Sequence, residues 1–120
     1  MNKCFKNEEI DRINLVESGI VSLTWKNNEQ DLEFIIDWCG QKNIKNEFDF
    51  NSISTKLEFK FVTDLKLSID YGSKMGAIEI SAFSFKKGQD VYEIDFRFDF
   101  NPVGFMKFYC NSLDFIIQEI

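Results

Sequence analysis

The segment from Asp90 to Phe100 alternates apolar and polar residues, and its apolar members are Tyr92, Ile94, Phe96, Phe98 and Phe100. The intervening positions are mostly charged. Successive side chains of a β-strand point to opposite faces, so this pattern predicts a strand with one apolar and one charged face. A helix would scatter the same charges around its circumference. We therefore expect Ile94, Phe96 and Phe98 in the core.

Two further segments repeat this alternation. Leu57, Phe59 and Phe61 share one face between Lys56 and Phe61, and a second apolar series runs from Leu65 to Tyr71. Val62 breaks the alternation, which leaves two interpretations open, one long bent strand or two strands meeting at Thr63 and Asp64. In both cases we predict that Phe59 and Phe61 are core residues.

Turn signals divide the rest of the chain into short strands. The segments Ile20 to Trp25 and Leu32 to Trp38 flank a polar stretch and predict a hairpin. Turns containing Gly72 and Gly88 bound a strand from about Ala77 to Phe85, and Pro102 precedes a last strand from Gly104 to Asn111. The second half of the strand that holds Phe83 and Phe85 is apolar on both faces, so the strand is either covered on both sides or exposes an apolar patch. We expect coverage, with the C-terminal segment as the cover.

Helical spacing of apolar residues is confined to the two ends of the chain. Asn7 to Glu17 carries Ile10, Ile13 and Val16, and Ser112 to Ile120 begins with a residue suited to an N-cap. Gln41 to Asn51 reads as a loop. These elements predict a mainly β fold, an antiparallel β-sandwich or strongly curved sheet of about seven or eight strands, with short helical segments at the termini.

The length of 120 residues fits a single β-rich domain spanning residues 1–120, and 14 Phe favour strands. No apolar run is long enough for a membrane span, and Met1 to Arg12 lacks the apolar core of a secretory signal. The three cysteines, Cys4, Cys39 and Cys110, are odd in number and lack metal-ligand spacing. We expect reduced thiols in a cytoplasmic protein, with Cys39 and Cys110 buried and no structural disulfide.

The absence of histidine from the sequence excludes His-dependent triads and His metal sites. Asp95 with Asp99, or Glu33 with Asp37, would supply the two carboxylates of a glycosidase. Residues four apart on one strand are about 13 Å apart, however, which is too far for either glycosidase geometry. The sequence therefore predicts a protein that is not an enzyme and needs no cofactor or metal.

The formal charge of −6 disfavours nucleic acid as a partner and favours a basic protein surface. On the strand from Asp90 to Phe100, the outward carboxylates form an acidic line along the strand, and only Arg97 offsets their charge. The carboxylates of Glu33 or Glu79 would widen this acidic line if their strands paired nearby. We expect a protein partner to contact the carboxylates of Glu93, Asp95, Asp99, Glu33 and Asp37. The ordinary alternative is a solvated face that keeps the protein soluble.

The two tryptophans lie at the ends of predicted strands, where a large ring favours core packing. The alternative is an exposed platform of Trp25, Trp38 or Tyr109 on which a sugar or another ligand stacks. A ligand-binding or carbohydrate-binding β-sandwich is therefore the rival to a protein-binding domain. The sequence leaves the oligomeric state open.

A resemblance to a known class follows from a hairpin ending in Trp38 and the spacing of Leu57, Phe59, Val62 and Leu65. Together with the run from Gly104 to Cys110, these features make the segment 19–110 resemble small β-rich immunity proteins of bacterial polymorphic toxin systems. The resemblance implies a non-catalytic inhibitor that neutralises a toxin by direct binding. It carries over no individual binding residue. The acidic charge balance favours a basic toxin domain such as a nuclease.

Overall fold

A computed structural model describes residues 3–38, 53–72, 76–100 and 102–117. The described residues form ten strands and one 3₁₀ helix, Asn7–Arg12. The strands are β1 Lys3–Lys6, β2 Gly19–Lys26, β3 Asp31–Trp38, β4 Ile53–Lys60, β5 Thr63–Asp70, β6 Ile78–Glu79, β7 Ala82–Lys87, β8 Tyr92–Phe98, β9 Val103–Cys110 and β10 Ser112–Ile117. No described helix is long and apolar enough to cross a membrane.

The strands form two sheets that pack face to face. Sheet A has the order β1-β10-β4-β3-β2-β6, sheet B has the order β5-β9-β8-β7, and every pairing is antiparallel. The predicted antiparallel β-sandwich is confirmed. The strand number exceeds the predicted seven or eight because β1, the two-residue β6 and β10 were not recognised as strands.

Aromatic rings from both sheets meet in the core. Phe34 and Phe59 of sheet A contact Phe96 and Phe108 of sheet B, with ring centroids between 4.8 and 6.5 Å apart. All four rings are buried, as are Ile94 and Phe98. The alternation of β8 therefore places its apolar residues inward as predicted, although Phe100 is exposed because β8 ends at Phe98.

The segment between β4 and β5 leaves one sheet and enters the other. Phe61 has φ of +55°, so the chain turns sharply there, and the Val62 N–H donates to the Gln30 carbonyl oxygen. The two-strand interpretation is correct, with the break just before Thr63. The prediction that Phe61 is a core residue is wrong because this turn points its side chain away from the core, leaving it 54% exposed.

Both ends of the chain have apolar residues at helical spacing, but only the N-terminal one forms a helix. The N-terminal segment forms the 3₁₀ helix, with Ile10 buried. The predicted C-terminal helix is wrong because β10 pairs with both β1 and β4 and buries alternate residues, Leu113, Phe115 and Ile117. The C-terminal segment therefore belongs to sheet A, and the prediction that it covers β7 is also wrong.

The predicted strand from Ala77 to Phe85 is two strands in different sheets. β6 pairs with β2 in sheet A, whereas β7 pairs with β8 in sheet B. This break explains why the sequence looked apolar on both faces. Phe83 and Phe85 share one face of β7 and pack against the core. The predicted loop from Gln41 to Asn51 lies outside the described residues, as does Cys39.

Candidate functional site

Large apolar side chains are exposed on the outer face of sheet B. They belong to β9, which lies between β5 and β8 within the sheet. Val103 is 56% exposed, Phe105 37% and Tyr109 38%, and Lys107 stands between the two aromatic residues on the same face. Outward positions of a two-layer sandwich are ordinarily polar, so exposed rings on a central strand are the unusual feature of this face.

Charged residues of the neighbouring strands flank these rings. On β8, Glu93 is opposite Tyr109 and Asp95 is opposite Lys107. We call these five residues the β9 face: Phe105, Lys107 and Tyr109 of β9 with Glu93 and Asp95 of β8. A shallow depression of about 160 Å³ lies around Tyr109 and is also lined by charged side chains of β5.

The close approach of β5 to β9 depends on Gly104. A Cβ atom built on Gly104 would lie 1.8 Å from the Ser68 carbonyl oxygen, so no side chain fits between the strands at this point. Gly104 is paired with Ile69, and its neighbour Phe105 is paired with Ser68. The glycine therefore fixes the spacing of the two strands directly beside an exposed ring of the β9 face.

The predicted partner-binding carboxylates on β8 lie on this outer face, but they do not form a purely acidic line. Glu93 is opposite Lys86 of β7, and Asp95 is opposite Lys107 of β9. Asp99 lies just beyond the end of β8, where it pairs with Arg97 at 3.3 Å and its N–H donates to the Ser81 hydroxyl at 2.7 Å. Basic and acidic groups are thus interspersed around the rings.

The remaining predicted partner-binding residues, Glu33 and Asp37, are on β3 in sheet A. Glu79 is on β6, in that sheet as well. The expected widening of the acidic line by Glu33 or Glu79 does not occur, because their strands belong to the sheet packed behind the one that holds Glu93. The structure therefore brings Glu93 and Asp95 together and separates them from Glu33 and Asp37.

Carboxylates do meet across strands on the outer face of sheet A. Glu58 of β4 is opposite both Glu33 and Asp114. Lys26 pairs with Glu33 at 3.8 Å and Lys6 pairs with Asp114 at 3.4 Å, while no ion pair joins Glu58 to another described residue. Directly opposed like charges destabilise a sheet, so Glu58 is expected to contribute little to stability.

The two tryptophans have different environments. Trp38 is buried, and its Nε1–H donates to the Asn14 carbonyl oxygen at 2.8 Å, as core packing predicts. Trp25 is 40% exposed at the hairpin end of β2, so core packing is the wrong interpretation for this residue. Trp38 cannot serve as a stacking platform, and Trp25 and Tyr109 lie in different sheets.

The buried carboxylate of Asp31 holds the β4–β5 turn against the β2–β3 hairpin. It accepts hydrogen bonds from the Asn27 side chain at 2.5 Å and from the Phe61 N–H at 3.0 Å, and Lys60 lies 3.5 Å away. Burial raises the pKa of Asp31, but these hydrogen bonds and Lys60 outweigh it, so the pKa lies below its ordinary value of 3.8. The network fixes Phe61 in a left-handed conformation that a bulky residue rarely adopts.

The described residues contain no group of three or more His, Cys, Asp or Glu side chains placed to hold a metal ion. Cys4 is exposed, whereas Cys110 is buried, and burial raises the pKa of the Cys110 thiol to about 12. A thiol with so high a pKa is a poor nucleophile at neutral pH. Cys110 is thus a small core residue, as the sequence predicts.

Sequence reasoning missed Phe105 as an exposed residue. The segment from Val103 to Cys110 is apolar at most positions of both faces, so alternation did not show which face is buried. Met106 and Phe108 point into the core, and Phe105 and Tyr109 point out. Lys107 was the available signal, because lysine side chains are rarely buried. Phe105 and Tyr109 lie on the same face of the strand as Lys107, so that face is the outward one.

Comparisons with known proteins support the fold but indicate no function. No family model matches the chain, and no curated protein matches it. The chain is similar to a solved structure described as an uncharacterized protein from Neisseria gonorrhoeae, with a TM-score of 0.59 and 16% identity over 96% of each chain. At this identity the likeness concerns the β-sandwich fold alone.

Proposed function

We propose that this protein is a non-catalytic binding protein that docks a protein partner on the β9 face. The observation that carries the proposal is the exposure of Phe105 and Tyr109 on a central strand. Aromatic residues supply much of the binding energy at protein interfaces when a rim of polar groups surrounds them. Lys107, Glu93 and Asp95 form such a mixed rim here.

Within this class we propose an immunity protein of the cytoplasm that neutralises a cognate bacterial toxin. The support is the sequence resemblance described above, together with cysteines that suit a reducing compartment. The net charge of −6 favours a basic toxin domain through long-range attraction. The interspersed charges of the β9 face then fix the register of the complex rather than speed the encounter.

A small-ligand site has weaker support. The depression beside Tyr109 measures about 160 Å³, and another on sheet A, beside Glu33 and Glu58, measures about 190 Å³. Ligand pockets are typically about 300–1,000 Å³ and mostly apolar. Both depressions are smaller than that and are lined mainly by charged side chains.

The test uses the product of the upstream gene as the candidate toxin and compares two variants by calorimetry. In the first, Phe105 and Tyr109 are both replaced by Ser, and in the control Trp25→Ser removes an exposed ring from the other sheet. We expect the double variant to weaken binding by at least about a hundredfold, as for loss of a hot spot, and the control to bind as wild type. Equal affinities for the double variant and wild type would overturn the proposal.

A further inference from the structure

The outer edge of β2 is uncovered over most of its length. β6 pairs only with Gly19 and Ile20 of β2, so the stretch from Ser22 to Lys26 has no neighbour on that side among the described residues. Unpaired strand edges expose backbone N–H and C=O groups that bind another strand readily. This edge is therefore an interaction surface separate from the β9 face.

The other edges carry features that oppose strand addition. β1 has only four residues. β5 carries Asp64, Lys66 and Asp70 and has an irregular register between Thr63 and Lys66. β7 ends in two lysines. Short strands, bulges and charges are the usual protection of sheet edges, whereas the free stretch of β2 is Ser-Leu-Thr-Trp-Lys, with its only charge at the end.

We propose that two copies of this chain pair antiparallel along these edges, about a two-fold axis through Thr24. This register places Thr24 opposite its own copy and Leu23 opposite Trp25 of the second copy. Ser22 then lies opposite Lys26. The paired stretch of five residues fits between β6 at one end and the hairpin turn at the other.

The chemistry of this register is self-complementary. It places no two like charges opposite each other, although the whole chain carries a charge of −6. Opposed Thr residues form favourable cross-strand pairs, and Leu23 with Trp25 covers the ring that the single chain leaves 40% exposed. A two-fold pairing needs no other chain, because each copy supplies the same stretch.

The first test measures the dissociation constant of the dimer by sedimentation over a concentration series. In the Thr24→Lys variant the new ammonium group faces Glu33 of its own chain, so the fold tolerates the change. In the dimer, however, the two new lysines lie opposite each other at the two-fold axis. Ser84→Lys is the matched control, since Ser84 is an exposed residue of the β7 edge that faces Asp95. We expect Thr24→Lys to raise the constant by about tenfold or more and Ser84→Lys to leave it unchanged.

The second test is a disulfide cross-link in a Cys4→Ser, Cys39→Ser background, which leaves the buried Cys110 as the only native thiol. Opposed residues of antiparallel strands have Cα atoms about 4.5–5.5 Å apart, within the range of a disulfide, so Thr24→Cys should yield a covalent dimer on oxidation while Ser84→Cys does not. A chain that stays monomeric throughout the concentration series, or a dimer weakened by Ser84→Lys and not by Thr24→Lys, would overturn the proposal. Equal cross-linking of the two cysteine variants would do the same.

Discussion

Replacing Gly104 with Ala is expected to separate the end of β5 from β9. The new Cβ would lie 1.8 Å from the Ser68 carbonyl oxygen, whereas close carbon–oxygen contacts are about 3.3 Å, so the strands must part by about 1.5 Å. That displacement breaks about two backbone hydrogen bonds, at about 1 kcal/mol each, and exposes part of Ile69, which adds about 1 kcal/mol. We predict a loss of about 3 kcal/mol in the free energy of unfolding.

The assay is equilibrium unfolding in urea, followed by tryptophan fluorescence, to which the buried Trp38 contributes. Gly72→Ala is the matched control, because Gly72 has φ of +59° but no atom within 4 Å of its added Cβ. The control should cost about 1 kcal/mol from backbone strain alone. A loss for Gly104→Ala no greater than for Gly72→Ala would refute the close approach of β5 and β9.

Three further predictions concern stability. Phe61→Gly should be more stable than Phe61→Ala by about 1 kcal/mol in urea unfolding, because only Gly adopts the left-handed backbone without strain; equal stabilities would refute this. Phe96→Ala should cost about 3–5 kcal/mol, while Glu58→Ala, which removes a carboxylate opposed by two others, should be neutral or slightly stabilising. The pKa of Asp31 is lower in the folded than in the unfolded chain, so its contribution to the free energy of unfolding is full above pH 3.8 and is lost as pH falls through the folded pKa. Asp31→Asn should therefore flatten the acid side of the pH–stability curve, and an unchanged curve would contradict the hydrogen-bond network around Asp31.

β8 could be predicted from the sequence because its apolar residues alternate cleanly with mostly charged ones, and Phe96 is buried as its parity requires. The β2–β3 hairpin was predicted from the polar stretch between its two strands. β10 was mistaken for a helix, because Leu113, Ile116 and Ile117 also fit a helical stripe in so short a segment. Only its pairing with β1 and β4 decides between the two.

The candidate site was only partly predictable. Glu93 and Asp95 were placed on an outward face from the alternation of one strand, but their neighbours depend on strand order, which local pattern does not encode. Phe61 is exposed because its own backbone adopts a left-handed conformation in the turn, and no residue type in that turn indicates this conformation. Phe105 was missed because β9 is apolar on both faces over most of its length.

The most direct test of the β9 face as a docking surface is a chemical-shift perturbation experiment on the isotope-labelled protein with the product of the upstream gene, the candidate partner. We predict that the largest changes fall on Phe105, Lys107 and Tyr109 and on the adjacent residues of β8. The outer face of sheet A, around Glu58, should remain unchanged. Changes confined to sheet A, or no changes at a saturating concentration of the candidate partner, would contradict the account.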